Sequence, residues 1–72
     1  MQEKLLEIIN TVRTNADMKP VDKISSEMTL RDDLELDSLN LAELTVRIED
    51  EFDIDIFEDG LVETVGEIEG KL

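Results

Sequence analysis

Ser38 is the residue with the clearest chemical potential in this sequence. It directly follows Asp37 within a leucine-rich segment, LELDSLNLAEL, residues 34–44. A serine in this place can begin a helix, act as a nucleophile or serve as an attachment point. A nucleophilic serine needs a general base, but the sequence contains no histidine, no G-x-S-x-G signature surrounds Ser38, and Asp37 is a weak base at neutral pH. Hydrolysis by this chain alone is therefore disfavoured.

The acidic runs raise the question of calcium binding. An EF-hand loop starting at Asp33 would have Ser38 where glycine is required and Leu44 where a bidentate glutamate is required. A loop starting at Asp53 would have Phe57 at a ligand position. A chain without cysteine or histidine also lacks the ligands of the usual zinc sites. The sequence thus predicts no specific metal site, only loose association with cations.

Charge and composition narrow the class of partner. The 72 residues include 20 acidic and 7 basic side chains, for a net charge of −13. The electrostatic field of so negative a chain repels nucleic acid and anionic lipid and attracts basic protein surfaces. The chain lacks cysteine, a signal-peptide pattern and any apolar run of about 18 residues. We expect one domain covering residues 1–72, a cytoplasmic monomer with neither nucleic acid nor membrane as a partner.

The first predicted element that positions Ser38 is a helix from Gln2 to Thr14. Asn15 is expected to end it in a left-handed conformation, and Pro20 prevents simple continuation. Arg13 lies off the apolar face, whose members recur at helical spacing: Leu5, Ile8, Ile9 and Val12. Residues 16–36 show no sustained period, but their scattered apolar residues predict a connection packed against the core. These are Met18, Val21, Ile24, Met28, Leu30 and Leu34.

The second predicted helix carries the candidate site. It runs from Ser38 to Phe52 with Asp37 as N-cap. One apolar stripe should face the core: Leu41, Leu44, Ile48 and Phe52. A second stripe lies well over 100° away and consists of Leu39, Ala42 and Val46, near the acids Asp37, Glu43, Glu49 and Asp50. Either helix one or the connection covers this second stripe, or it is a docking surface for a basic, partly apolar partner.

The C-terminal part completes an all-α prediction. The stretch FDIDIF, residues 52–57, alternates apolar and acidic residues as a β-strand does. No second segment is suited to pair with it, so we interpret it as an extended connector. EDGLVE, residues 58–63, allows one short helical turn. Thr64 and Glu67 have the spacing of a capping box ahead of a last helix whose buried face is Val65, Ile68 and Leu72. The expectation is three helices and a short fourth.

The segment LRDDLELDSLNLAELTVRIEDEFDIDI resembles the acyl carrier protein family. The shared features are the acidic-leucine turn before the site, the Asp-Ser-Leu tripeptide, the Glu43-Leu44 pair and the acidic cluster ending in Phe52. The first helix, the connection and the TVGEI segment also fall in the family's order, so the resemblance covers nearly the whole chain. It implies a small four-helix bundle with a long loop between helices one and two.

The resemblance also implies a function for individual residues. Ser38 would carry a 4'-phosphopantetheine arm, donated by coenzyme A through a separate phosphopantetheinyl transferase, and Asp37 would complete the motif. The partner-binding positions of the family correspond here to Leu39, Ala42, Glu43, Val46, Glu49 and Asp50. Partners would be enzymes with basic docking patches that transfer or modify acyl groups. The chain departs from the family at Glu35, where many carriers have glycine, at Arg47, where small apolar residues are common, and in its short third-helix region.

The resulting hypothesis is a non-enzymatic carrier that holds acyl intermediates as thioesters for fatty acid or polyketide-type synthesis. Two alternatives stay open. One is an aminoacyl or peptidyl carrier of the same fold. The other is an acidic helical adaptor without a prosthetic group, in which Ser38 merely caps a helix.

Overall fold

The computed structural model describes residues 2–56 and 62–72, which contain three helices. They are α1, Gln2–Asn15; α2, Ser38–Phe52; and α3, Val65–Glu69. These described ranges contain no strand, only one isolated antiparallel bridge between Thr29 and Thr64. The all-α prediction is confirmed for this part of the chain, whereas most of EDGLVE, and with it the predicted fourth helix, lies outside the described residues.

The end of α1 differs from the sequence prediction. Asn15 is still helical, and the left-handed residue is Asp17, at φ 63°. The amide of Met18 donates to the carbonyl of Arg13 at 2.9 Å, which closes the helix around Asp17. Aspartate tolerates this conformation because its short polar side chain can bond locally. The helix therefore continues one residue beyond Thr14 before the chain turns.

Arg13 is buried, although the sequence placed it off the apolar face of α1. Its exposed fraction is 7%. The guanidinium donates Nε–H to the carbonyl of Lys19 at 2.9 Å and an Nη1 hydrogen to the carbonyl of Leu34. One side chain of α1 thereby fastens both the beginning and the end of the connection that leads to α2.

The connection between α1 and α2 is packed against the core, as its scattered apolar residues predicted. Ile24, Leu30 and Leu34 are buried, and Met18, Val21 and Met28 pack partly buried around them. The Asn10 side chain pairs with both backbone groups of Val21, accepting from its amide at 2.8 Å and donating to its carbonyl at 3.0 Å. The connection therefore holds a fixed path to the start of α2.

The helices share one aliphatic core. The α1 face is buried, as are the three predicted α2 residues Leu41, Leu44 and Ile48, with Phe52 packed at the edge. Val65 and Ile68 of α3 join them, and Thr64 accepts from the Glu67 amide at 3.2 Å as the predicted N-cap. Gly66 meets the connection closely: a Cβ there would lie 3.0 Å from the Ser26 carbonyl oxygen. The glycine that weakens α3 as a helix thus allows it to dock.

Candidate functional site

The start of α2 is held by a complete capping box. Asp37 has an extended backbone, and its carboxylate accepts from the Asn40 amide at 2.8 Å. In return the Asn40 side-chain oxygen accepts from the Asp37 amide at 3.3 Å. The prediction of Asp37 as N-cap and Ser38 as first helical residue is confirmed. Because Asp37 performs the capping, the Ser38 hydroxyl is available for another role.

The turn before the cap depends on a left-handed residue. Glu35 has φ 57° and lies between Leu34 and Leu36, both buried. The Leu36 amide donates to the Leu30 carbonyl at 2.9 Å, which fixes the turn on the side of the site. This conformation costs a residue with a Cβ about 1–2 kcal/mol, and glycine avoids that cost. Glu35 therefore holds this left-handed turn at the expense of local strain.

Ser38 lies exposed on the surface beside a cation. Arg31 donates from Nη2 to the Ser38 hydroxyl oxygen at 3.3 Å. A guanidinium stays protonated and cannot act as a base, and the Asp37 carboxylate is occupied by the cap. Neither of these neighbouring groups is therefore suited to act as a general base for the Ser38 hydroxyl.

Ser38 lines an open cleft of about 730 Å³. Its apolar lining comes from Leu41 and Ala42 of α2 and from Val62. Its polar lining comes from Thr29, Arg31, Asp32, Thr45 and Glu63. Clefts of this size hold small molecules of ordinary dimensions. A flexible group attached at Ser38 can enter this cleft directly.

The second apolar stripe of α2 is exposed. Leu39 is 78% and Val46 66% accessible, and Ala42 is also exposed. The interpretation in which helix one or the connection covers this stripe is therefore wrong. The exposure favours the docking interpretation, because covering large exposed aliphatic side chains with a partner surface is favourable.

The acids along this face differ in their surroundings. Glu43 accepts hydrogen bonds from the Asn15 side chain at 3.0 Å and from Arg47 Nε at 2.9 Å. The bond from Asn15, followed by that from Arg47, lowers the pKa of Glu43 below its ordinary value. Glu49 and Asp50 are exposed to solvent. The cation that departs from the family pattern, Arg47, is thus paired within its own helix to Glu43.

The fold and the site together define a class of protein: a small helical carrier whose second helix begins at an accessible serine beside a cleft. The family model described as the phosphopantetheine attachment site matches residues 4–72, so the chain belongs to this family. It is a carrier of covalently attached 4'-phosphopantetheine and not an enzyme. Its partners in general are a phosphopantetheinyl transferase and the synthesis enzymes that the carrier serves. No solved structure matches the chain.

The residues present fit this prosthetic group. Ser38 is exposed, the Arg31 guanidinium lies beside its hydroxyl, and both residues line the cleft. No group of three or more metal-binding side chains occurs among the residues that the structure describes. Within the same ranges, no helix has both the length and the apolar character to cross a membrane.

Arg31 and Val62 line the cleft but were not predicted as site residues from the sequence. Arg31 is the only basic residue between Lys23 and Arg47, and this isolation was a usable signal. Val62 lies far from Ser38 in sequence but lines the same cleft. The segment that contains Val62 is held against the connection before α2 by a hydrogen bond from the Leu30 amide to the Glu63 carbonyl at 2.8 Å. No short-range pattern could have indicated that contact.

Proposed function

We propose that Ser38 is the serine that carries the arm. In the attachment step the Ser38 oxygen would bond to the phosphorus of coenzyme A that bears pantetheine, while adenosine 3',5'-bisphosphate leaves and a base of the transferase takes the hydroxyl proton. Support comes from the exposed hydroxyl and from the cap by Asp37. The first backbone hydrogen bond within α2 is donated by the Leu41 amide to the Asp37 carbonyl. The Ser38 and Leu39 amides at the helix start therefore lack an intrahelical acceptor and favour an anion there.

We further propose that the cargo is an acyl intermediate of fatty acid or polyketide-type synthesis. The arm supplies a thiol that holds the acyl group as a thioester. The observation that carries this proposal is the apolar lining of the cleft by Leu41, Ala42 and Val62. Each methylene that leaves water for such a surface contributes about 0.8 kcal/mol. A cleft that opens at the attachment point can therefore shelter an aliphatic chain.

An aminoacyl or peptidyl cargo is the second candidate. Asp32 and Glu63 also line the cleft, and a carboxylate there would pair with the ammonium group of an aminoacyl thioester. The two cargoes thus use different walls of one cleft. Aliphatic cargo needs Leu41 and Val62, whereas aminoacyl cargo needs Asp32 or Glu63.

The proposed docking surface consists of the stripe Leu39, Ala42 and Val46 together with Glu43, Glu49 and Asp50. Its exposed aliphatic side chains and the exposed carboxylates of Glu49 and Asp50 suit enzymes with a basic, partly apolar patch. The proposal includes a monomer, because the charge of −13 makes copies of the chain repel one another. It also includes a location in the cytoplasm. An adaptor without a prosthetic group would use this surface alone, and Ser38→Ala would leave its partner binding unchanged.

Methyl NMR on the loaded protein tests the cargo. The holo-protein is compared with its octanoyl and alanyl thioesters. For an acyl carrier, the octanoyl chain shifts the methyl resonances of Leu41 and Val62, and the alanyl group leaves them in place. The methyl groups of Leu39 and Val46, which do not line the cleft, are the internal control and stay unchanged. Octanoyl loading without any change at Leu41 and Val62 would contradict the acyl proposal.

A further inference from the structure

The distribution of cations makes Arg31 distinctive. The chain has only 7 basic residues. Lys4 pairs with Glu51 at 3.2 Å, Arg47 pairs with Glu43, and Arg13 is buried against backbone carbonyls. Arg31 instead extends to the Ser38 hydroxyl from seven residues earlier in the chain, in the turns that precede the site. Its side chain is exposed, so burial does not account for its position.

Attachment of the arm at Ser38 adds a phosphodiester anion to a chain of charge −13. Asp37 adjoins the attachment point and Asp32 lines the cleft, so both carboxylates oppose another negative charge there. A guanidinium is the side chain best suited to offset this repulsion, because its planar donors match the oxygens of a phosphate group. A guanidinium 3.3 Å from Ser38 Oγ lies within reach of the oxygens on a phosphorus bonded to that atom.

We propose that Arg31 is a positioning residue that pairs with the phosphodiester of the arm and directs the arm into the cleft. This inference rests on the proposed attachment at Ser38. Arg31 and Ser38 both line the cleft, so an anion held between them keeps the beginning of the arm beside the cleft. The contact between Arg31 and Ser38 exists before modification, and little ordering is required when the phosphodiester arrives.

Phosphorus NMR of the holo-protein tests the pairing. Wild type, Arg31→Gln, Arg31→Lys and Lys23→Gln are each converted with coenzyme A and a transferase, and intact mass verifies that the arm is present. The resonance position of the phosphodiester is then followed from low salt to about 1 M salt, where the screening length falls to about 3 Å. The proteolytic peptide that carries the modified Ser38 supplies the position of an unpaired phosphodiester. Lys23→Gln is the control, since it removes one exposed positive charge elsewhere.

The expected result is a wild-type resonance displaced from the peptide position at low salt and moving toward it as salt rises. Arg31→Gln should be at the peptide position throughout, Arg31→Lys should be intermediate, and Lys23→Gln should follow wild type. The inference is overturned if Arg31→Gln coincides with wild type, or if Lys23→Gln shifts as much as Arg31→Gln. A protein that gains no mass refutes the attachment site itself, and this is seen before any spectrum is recorded. Should Arg31→Gln unfold, the folded Arg31→Lys variant decides the matter by the size of its displacement.

Discussion

Replacement of Arg13 by methionine should be among the most damaging single changes in this chain. The substitution keeps a long side chain in a buried space but removes two charge-assisted donors, leaving the carbonyls of Lys19 and Leu34 without them. Hydrogen bonds from charged groups contribute about 1.5–3 kcal/mol each. The substitution also removes the cost of burying the guanidinium charge, which offsets part of the lost stability. We therefore expect a loss of about 3 kcal/mol. A chain of this length has a total stability of only about 4–11 kcal/mol.

Thermal and denaturant unfolding, followed by circular dichroism, measure this loss. For a domain of this size, 3 kcal/mol corresponds to a fall in Tm of about 12–24 °C. Arg47→Met is the matched control, because it removes the same charge from an exposed pair with Glu43. Such a pair contributes about 0.3–0.5 kcal/mol. If Arg13→Met and Arg47→Met destabilise the protein equally, Arg13 does not fasten the connection as described.

Three further changes test other parts of the structure. Glu35→Gly should stabilise the protein by about 0.5–1 kcal/mol in denaturant unfolding, because glycine removes the left-handed strain at a smaller entropic cost. Asn15→Ala should raise the pKa of Glu43, measured by NMR titration of its carboxyl carbon, because the largest cause of the lowered pKa is lost. Glu49→Lys should slow association with the transferase more than it speeds dissociation. The difference in association rate between the variant and wild type should shrink as salt rises.

Two of these changes have a control variant within the chain, and the third has a defined contradicting result. Glu27→Gly, at an exposed residue with ordinary backbone, should destabilise by about 0.5–1 kcal/mol, and a gain there would refute the strain argument. Since folding lowers the pKa of Glu43, its stabilisation is present at neutral pH and is lost as the pH falls through the folded pKa. An unchanged pKa in Asn15→Ala would contradict the geometry. Asp22→Lys makes the same charge change as Glu49→Lys outside α2 and should leave association nearly unaffected.

Much of α2 could be predicted from sequence because its signals are local. The capping residue Asp37, the first helical residue Ser38 and the core stripe depend on neighbours within one or two helical turns. The end of α1 was less accessible to such reasoning. Asn15 and Asp17 are both capable of a left-handed conformation, and the choice between them depends on bonds to Arg13 and on packing of the following connection.

The remaining features depend on contacts between distant segments. Whether the stripe of Leu39 and Val46 is covered could not be decided from a helical angle, since either α1 or the connection could have packed there. The burial of Arg13 follows from carbonyls six and 21 residues away. The family resemblance supplied the order of helices and the attachment chemistry. It did not supply the cation at Ser38, which is a property of this chain.

The central claim is that the arm is attached to Ser38, and tandem mass spectrometry of the modified protein tests it most directly. The chain has two other serines, Ser25 and Ser26, so the attachment point can be located among three. After incubation with coenzyme A and a phosphopantetheinyl transferase, we predict a gain of one phosphopantetheine, found on the peptide with Ser38. The gain should be lost in Ser38→Ala and kept in Ser25→Ala. A modification that survives Ser38→Ala, or that maps to Ser25 or Ser26, would contradict the account.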